Sequence, residues 1–310
     1  MSIYGSALEQ IGQTPLLHLA RLHPGPGRVL AKLEFLQPGG SIKDRPALKA
    51  IQLARAGGLL QPGQTVVEMT SGNMGAGLAV VCAVLGHPFV AVMSAGNSLE
   101  RVRMLEGLGA RVVRVPQVDG QPGQVTGSDI GAAGVEAKRY AEEIGAYYVD
   151  QFRNPASVLA HEEGTGPEIW TQTEGRLDAF VAIVGSAGTF VGTSRYLKRM
   201  NAQIVCAAVE PATARPLAGK VIDDARHVLQ GAGYGSIPQA WDANLADRYL
   251  AVSDEEAKVY RSRLAAQEGL YVGYSAAANV CAAVKLLEAG GLPRDATVVT
   301  VLCDTGLKYP

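Results

Sequence analysis

Thr65-Val66-Val67-Glu68-Met69-Thr70-Ser71-Gly72-Asn73-Met74-Gly75 is the stretch on which the reading of this chain turns. A short apolar run, 65–68, gives way to small polar residues and then to an apolar helical pattern over 76–85, closed by Gly86. Working outward, the spacing predicts a strand over 89–93, a helix over 99–108 with Ser98 as its N-cap, and a strand over 111–115. Upstream lie a strand over 29–35, a glycine turn and a helix over 47–56. Downstream, residues 116–127 turn to Gly, Pro, Gln and Asp and read as a surface loop or flap. Helix 129–144, strand 146–149, a helical region through Trp170, strand 179–184, helix 190–200 and strand 203–211 follow. An irregular section containing 230–238 leads to the capping box Ser253-Asp254-Glu255-Glu256 for helix 255–268. Helix 279–289 and strand 297–302 complete the pattern. Strands that are continuous apolar runs, alternating with helices, predict an α/β protein whose parallel sheets are covered on both faces.

With 310 residues, 47% of them hydrophobic, the chain can fill two ordinary domains or one large α/β unit. The 28 Lys+Arg and 29 Asp+Glu leave a net charge of −1 without a long run of one sign, so no nucleic acid or anionic membrane is expected as partner. No apolar stretch reaches the ~20 residues of a membrane span. Residues 1–10 lack a basic segment followed by an apolar one, and the expected compartment is the cytoplasm. Cys82, Cys206, Cys281 and Cys303 form no CxxC pair, and no histidine stands at metal-ligand spacing from them. They read as buried, inert thiols, with Cys303 alone near a site loop. His161-Glu162 opens like a zinc-protease helix, but Thr165 holds the place of the second histidine, so no metal is expected.

Ligands of open α/β sheets sit beyond the carboxyl ends of the strands, and four loops here leave strand ends with glycine or small polar residues. These are 38–45, 69–75, 185–189 and 303–306. In the first, Gly39 and Gly40 let the backbone turn tightly and deliver Lys43 into a site, although a solvated loop lysine fits the motif alone. In the third, Gly185-Ser186-Ala187-Gly188-Thr189 offers backbone N–H groups, a hydroxyl and a helix start. A phosphate there gains hydrogen bonds and about 0.3–1 kcal/mol from the helix dipole, while a plain strand-to-helix turn fits the same residues. No GxGxxG follows the first strand, and Lys43 lacks the preceding glycines that a Walker loop needs, so nicotinamide and ATP readings drop out.

The stretch Lys32-Leu33-Glu34-Phe35-Leu36-Gln37-Pro38-Gly39-Gly40-Ser41-Ile42-Lys43-Asp44-Arg45 resembles the lysine segment of the cysteine synthase (O-acetylserine sulfhydrylase) family, the β-replacement branch of fold-type II pyridoxal-phosphate enzymes. Glu68 to Asn73 is similar to its substrate loop, and Thr165-Gly166-Pro167-Glu168-Ile169-Trp170 to its segment after the domain crossing. Residues 185–189 with Arg195-Tyr196-Leu197-Lys198 resemble its phosphate loop and helix. Val209-Glu210-Pro211, Gly273-Tyr274-Ser275 and Asp304-Thr305-Gly306 carry the resemblance, in order, from about residue 12 to 309.

The resemblance implies a tryptophan synthase β-like fold of two open three-layer αβα domains with the cofactor between them. Residues 1–12 and 37–152 would form the smaller, substrate-closing domain, and 13–36 and 153–310 the larger one that holds the phosphate. It implies that Lys43 forms the Schiff base with pyridoxal 5'-phosphate and, once displaced by substrate, removes and later returns the Cα proton. Gly185, Ser186, Ala187, Gly188 and Thr189 would hold the phosphate, Asn73 the ring hydroxyl, and Ser275 the pyridine nitrogen, while Ser275 also reads as a helix N-cap. A neutral hydroxyl at that nitrogen favours elimination at Cβ over racemisation or transamination. Thr70, Ser71, Gly72, Asn73, Met74 and Gln151 would form the substrate carboxylate site. The chain departs from the family pattern at Met74, where threonine is usual, at Ser186-Ala187, and in the longer 116–127 stretch, which reads as part of an entrance lid; these leave substrate identity open. The implied reaction is β-replacement on an activated L-serine, such as O-acetylserine, by sulfide or a similar small nucleophile, giving cysteine or another β-substituted alanine. The alternatives are β-elimination, as in a serine/threonine dehydratase or cysteine desulfhydrase, diaminopropionate or cystathionine synthesis, and a silent acetyltransferase-binding homologue. A homodimer is implied, and a serine acetyltransferase is admitted as partner.

Overall fold

The computed structural model describes residues 3–222, 227–233 and 235–309. Met1, Ser2 and Pro310 of the expected domains, and Tyr234 of the 230–238 section, lie outside the described residues. In chain order the elements are β1 (Leu16–His18), β2 (Arg28–Lys32), α1 (Asp44–Ala56), β3 (Val66–Met69), α2 (Asn73–Leu85), β4 (Phe89–Ser94), α3 (Leu99–Gly107) and β5 (Arg111–Val115). Then come α4 (Gly127–Glu143), β6 (Tyr147–Tyr148), α5 (Ala156–Ala160), a π-helical turn (His161–Thr165), α6 (Gly166–Gln172), β7 (Ala179–Ile183), α7 (Gly188–Met200) and β8 (Val205–Pro211). The chain ends with β9 (Arg248–Val252), α8 (Asp254–Arg263), a second π-helical turn (Leu264–Glu268), α9 (Tyr274–Glu288) and β10 (Thr297–Val301). These elements divide into two compact units, Met1–Ile11 with Gln37–Ala156, and Gly12–Leu36 with Ser157–Pro310.

The first unit is built on a parallel sheet in the order β5-β4-β3-β6. Every residue of β4 is buried, as expected of an inner strand covered on both faces. On one face α1, α2 and α3 contribute Ala47, Ile51, Leu78, Val81 and Leu105 to the core. On the other, Ala137 and Ala141 of α4, four residues apart on one helix face, lie against Val67, Val90 and Val92. The outermost strand, β5, carries Arg111 and Arg114 and is only partly covered, a composition that blunts further strand pairing.

The second unit has the sheet order β1-β2-β10-β7-β8-β9, with only the β1–β2 pair antiparallel. Alternation along β7 sends Val181 and Ile183 into the core shared with α9, and turns Phe180 toward Phe190 of α7, ring centroids 6.5 Å apart. Lys32, at the end of β2, is fully buried. Its Nζ meets Glu168 at 2.6 Å and donates to the Thr14 carbonyl at 2.5 Å and to Gln172 Oε1 at 3.0 Å.

Several predicted bounds move for physical reasons. The strand expected over 29–35 stops at Lys32, because Glu34 turns off the sheet, is buried, and accepts the Thr14 hydroxyl at 2.6 Å. Helices α1, α2, α7 and α9 begin two to five residues earlier than the apolar periodicity suggests, since Asp44, Asn73, Gly188 and Tyr274, which carry no apolar period, are themselves first-turn residues. The strand β9 lies within the section read as irregular; it is an edge strand that opens on Arg248 and is mostly half-buried. Residues 116–126 form a surface loop folded round Asp129, whose carboxylate accepts from the amides of Val118 at 2.7 Å, Asp119 at 3.4 Å and Thr126 at 3.0 Å. These bonds, led by the Thr126 amide, hold that carboxyl well below the usual aspartate range. Among the described residues no helix is long and apolar enough to cross a membrane.

Candidate active site

In the first unit Lys43 sits at the N-cap of α1, where Gly40, at φ +73°, supplies the left-handed residue of the preceding turn. The Lys43 amide donates to Ser41 Oγ at 3.2 Å, and the carboxylate of Asp44 accepts the Gly39 amide, so the turn is tied from both ends. A Cβ at Gly39 would lie 2.5 Å from Asp44 Oδ1, which explains glycine there. Gly77 of α2 brings that helix onto the first turn of α1: a Cβ at Gly77 would lie 3.1 Å from the Lys43 carbonyl and from the Ala47 Cβ. The lysine turn and the loop that starts α2 therefore share one rigid scaffold.

That loop, 70–73, leaves the carboxyl end of β3. The Thr70 hydroxyl accepts the Gly75 amide at 3.0 Å, fixing the entry to α2, and Gly72 caps the helix without a side-chain hydrogen bond. Asn73 is the first residue of α2. Ser71 accepts from Arg101 of α3, whose Nη1 reaches Ser71 Oγ at 3.2 Å and its carbonyl at 3.3 Å. Gln151 is held beside the loop by its amide nitrogen, which donates to Met69 O at 3.1 Å and to Glu68 Oε1 at 3.2 Å. Glu68 is fully buried, and desolvation, reinforced by the Asp150 charge, pushes its carboxyl up from 4.5 to about 8. Met74 is buried and belongs to the same core cluster of this unit as Leu78 and Leu105.

In the second unit, residues 185–189 leave β7 and enter α7. Ala187 is left-handed at φ +70° and occupies the N-cap, which makes no side-chain hydrogen bond. A Cβ at Gly185 would lie 2.1 Å from the Gly231 carbonyl, and one at Gly188 would lie 2.4 Å from the Ser157 carbonyl, so backbone is packed against this loop where no side chain fits. Thr189 Oγ1 lies 3.2 Å from Nε2 of buried His161, whose Nδ1 lies 2.9 Å from Thr165 Oγ1. Ser275 is the second residue of α9, after an N-cap at Gly273, so it is not itself the cap; its hydroxyl donates to Gln230 O at 3.1 Å. The 230–231 segment thus touches both the 185–189 loop and Ser275.

These features fit a phosphate-bearing cofactor. An uncapped helix start of small residues, with a hydroxyl oriented by a buried histidine, offers backbone donors and positive dipole to a phosphate. Among the described residues no group of three or more His, Cys, Asp or Glu could hold a metal ion. Burial raises the thiols of Cys82, Cys206 and Cys281 to about 12, 11 and 11, which keeps them protonated. The half-buried Cys303 Sγ lies 3.4 Å from Asn279 Nδ2.

Sheet order, lysine turn and anion loop together describe a fold-type II enzyme. The chain belongs to the pyridoxal-phosphate dependent enzyme family, whose model matches residues 7–304. It is 40% identical to cysteine synthase 1 of Neurospora crassa, over 96% of this chain and 80% of that one. It is 38% identical to cysteine synthase A of Escherichia coli K12, over 96% and 91%. The crystal structure of an O-ureido-L-serine synthase superposes with a TM-score of 0.90 at 36% identity, covering 99% of this chain and 94% of that one. The protein is a cysteine synthase-like enzyme that uses pyridoxal phosphate.

The contacts of Arg101 with Ser71, of Glu68 with Gln151 and of His161 with Thr189 are not given by the sequence reading. Arg101 acts on a residue 30 positions away, for which no local pattern exists. His161 had a local signal, the Thr165 four residues on, which its π-helical turn converts into a hydrogen bond.

Proposed function

We propose that this enzyme replaces the β-substituent of an activated L-serine, such as O-acetylserine, with sulfide or a similar small nucleophile, giving cysteine or a close analogue. Lys43 is the residue that would carry the cofactor's aldehyde carbon, the 185–189 loop its phosphate, Asn73 its ring hydroxyl and Ser275 its pyridine nitrogen. When bound, the cofactor supplies an electron sink that acidifies the proton on the substrate's Cα. The Lys43 amine takes that proton, the β-substituent departs with its bonding pair, the nucleophile adds at Cβ, and Lys43 returns the proton. The 70–73 loop binds the substrate carboxylate with hydroxyls and the start of α2. Ser275, having no charge, would not force the pyridine nitrogen to protonate, which would suit departure of a β-group better than chemistry that needs a long-lived carbanion.

The observation that carries this reading is the seating of Lys43 and the 70–73 loop on one scaffold through Gly77. Borohydride reduction of the cofactor-loaded protein followed by peptide mapping tests it. The expected adduct is on Lys43, with none in Lys43→Ala; an adduct on another lysine overturns the assignment. We read the enzyme further as a cytoplasmic homodimer, with a serine acetyltransferase, the enzyme class that makes O-acetylserine, as its partner; twice the chain mass in sedimentation and co-elution with such an acetyltransferase test these.

A further inference from the structure

We propose that Arg101 is a positioning residue for substrate: it fixes Ser71 as a hydrogen-bond donor toward the substrate carboxylate. The inference rests on the carboxylate role given to the 70–73 loop above. A serine hydroxyl has one O–H to donate and lone pairs to accept with, and without a fixed neighbour it rotates between the two uses. The Arg101 guanidinium is always cationic and only donates. With Nη1 at 3.2 Å from Ser71 Oγ, it occupies the acceptor side of that oxygen and turns the single O–H elsewhere. The same nitrogen, 3.3 Å from the Ser71 carbonyl, also fixes the peptide that leads into Gly72, the N-cap of α2. Gly72 lies alongside: a Cβ there would be 3.8 Å from Nη1. Arg101 is itself half-buried and projects from the first turn of α3. A positive charge on the acceptor side of a hydroxyl whose O–H is free to donate outward, at the start of a helix, makes a site that favours a carboxylate over its neutral isostere.

The test is calorimetric binding of L-serine and L-serinamide to the cofactor-loaded enzyme and to Arg101→Gln, Ser71→Ala and the double variant. Arg101→Gln is expected to weaken L-serine by about tenfold, as loss of about 1.4 kcal/mol of a charge-assisted contact implies, and to leave L-serinamide within about twofold of wild type. Adding Ser71→Ala to Arg101→Gln is expected to cost no more than Ser71→Ala alone, because both changes remove one pathway. Arg101→Lys, which keeps the charge and loses the planar fork, is expected to fall between, and carries the same comparison if the glutamine variant does not fold. Equal weakening of both ligands, or effects of the two variants that multiply, would overturn the role of Arg101 alone. A wild-type enzyme that binds no amino acid would instead overturn the function on which the role rests.

Discussion

Replacing Glu68 by glutamine tests the electrostatics beneath the 70–73 loop. The carboxyl is fully buried, its Oε2 has no hydrogen-bond partner among the described residues, and burial lifts it from 4.5 to about 8. Below pH 4.5 it is protonated in both folded and unfolded chains and contributes no pH dependence. Between 4.5 and about 8 the unfolded chain has lost the proton and the folded one keeps it, so unfolding releases a proton and stability falls as pH rises. From pH 5 to pH 8 this spans three units at about 1.4 kcal/mol each, a loss of about 4 kcal/mol. Glutamine keeps an acceptor for the Gln151 amide and cannot ionise. Urea unfolding of both proteins across that range, taken as the difference so that other titrating groups cancel, is expected to show near equality at pH 5 and a variant more stable by about 4 kcal/mol at pH 8. A difference that stays constant with pH would mean that Glu68 is ionised in the folded protein, and would refute the reasoning.

Lys32→Met leaves Glu168 facing a site built for a cation and is expected to cost about 3–5 kcal/mol in urea unfolding, with Glu168→Leu restoring most of it. Gly185→Ala drives a Cβ into the Gly231 carbonyl and is expected to lower the cofactor content read by absorbance; Gly107→Ala, whose Cβ meets nothing within 4 Å, is expected to leave it unchanged. Asp129→Asn is expected to speed hydrogen exchange at Val118, Asp119 and Thr126. Because the Asp129 carboxyl is depressed, its support of the loop is present above the ordinary value of 3.8 and is lost as pH falls through the lower folded value, so wild type is expected to lose the same protection in acid.

The alternation of apolar strands and helices was legible because parallel strands buried on both faces have little choice of composition. What sequence marks poorly is where a helix begins when its first turn belongs to a binding loop: Asn73, Gly188 and Tyr274 carry no apolar period, yet each opens a helix. The edge strand β9 escaped because five residues, three of them half-covered, carry little pattern. Among the site residues, Lys43 and the 185–189 loop are written locally in glycine. Met74, read from sequence beside the substrate loop, is also a buried member of the unit's core, a second role that its position in the loop does not reveal. The Arg101 and Glu68 contacts depend on elements that only the folded sheet brings together.

Replacement and elimination differ in their products, and one product measurement decides between them. The cofactor-loaded enzyme is mixed with O-acetylserine, with and without sulfide, and cysteine and pyruvate are quantified together. Cysteine is expected as the main product when sulfide is present, with pyruvate slow in its absence. Pyruvate and ammonia released at one rate, whether or not sulfide is added, would contradict replacement.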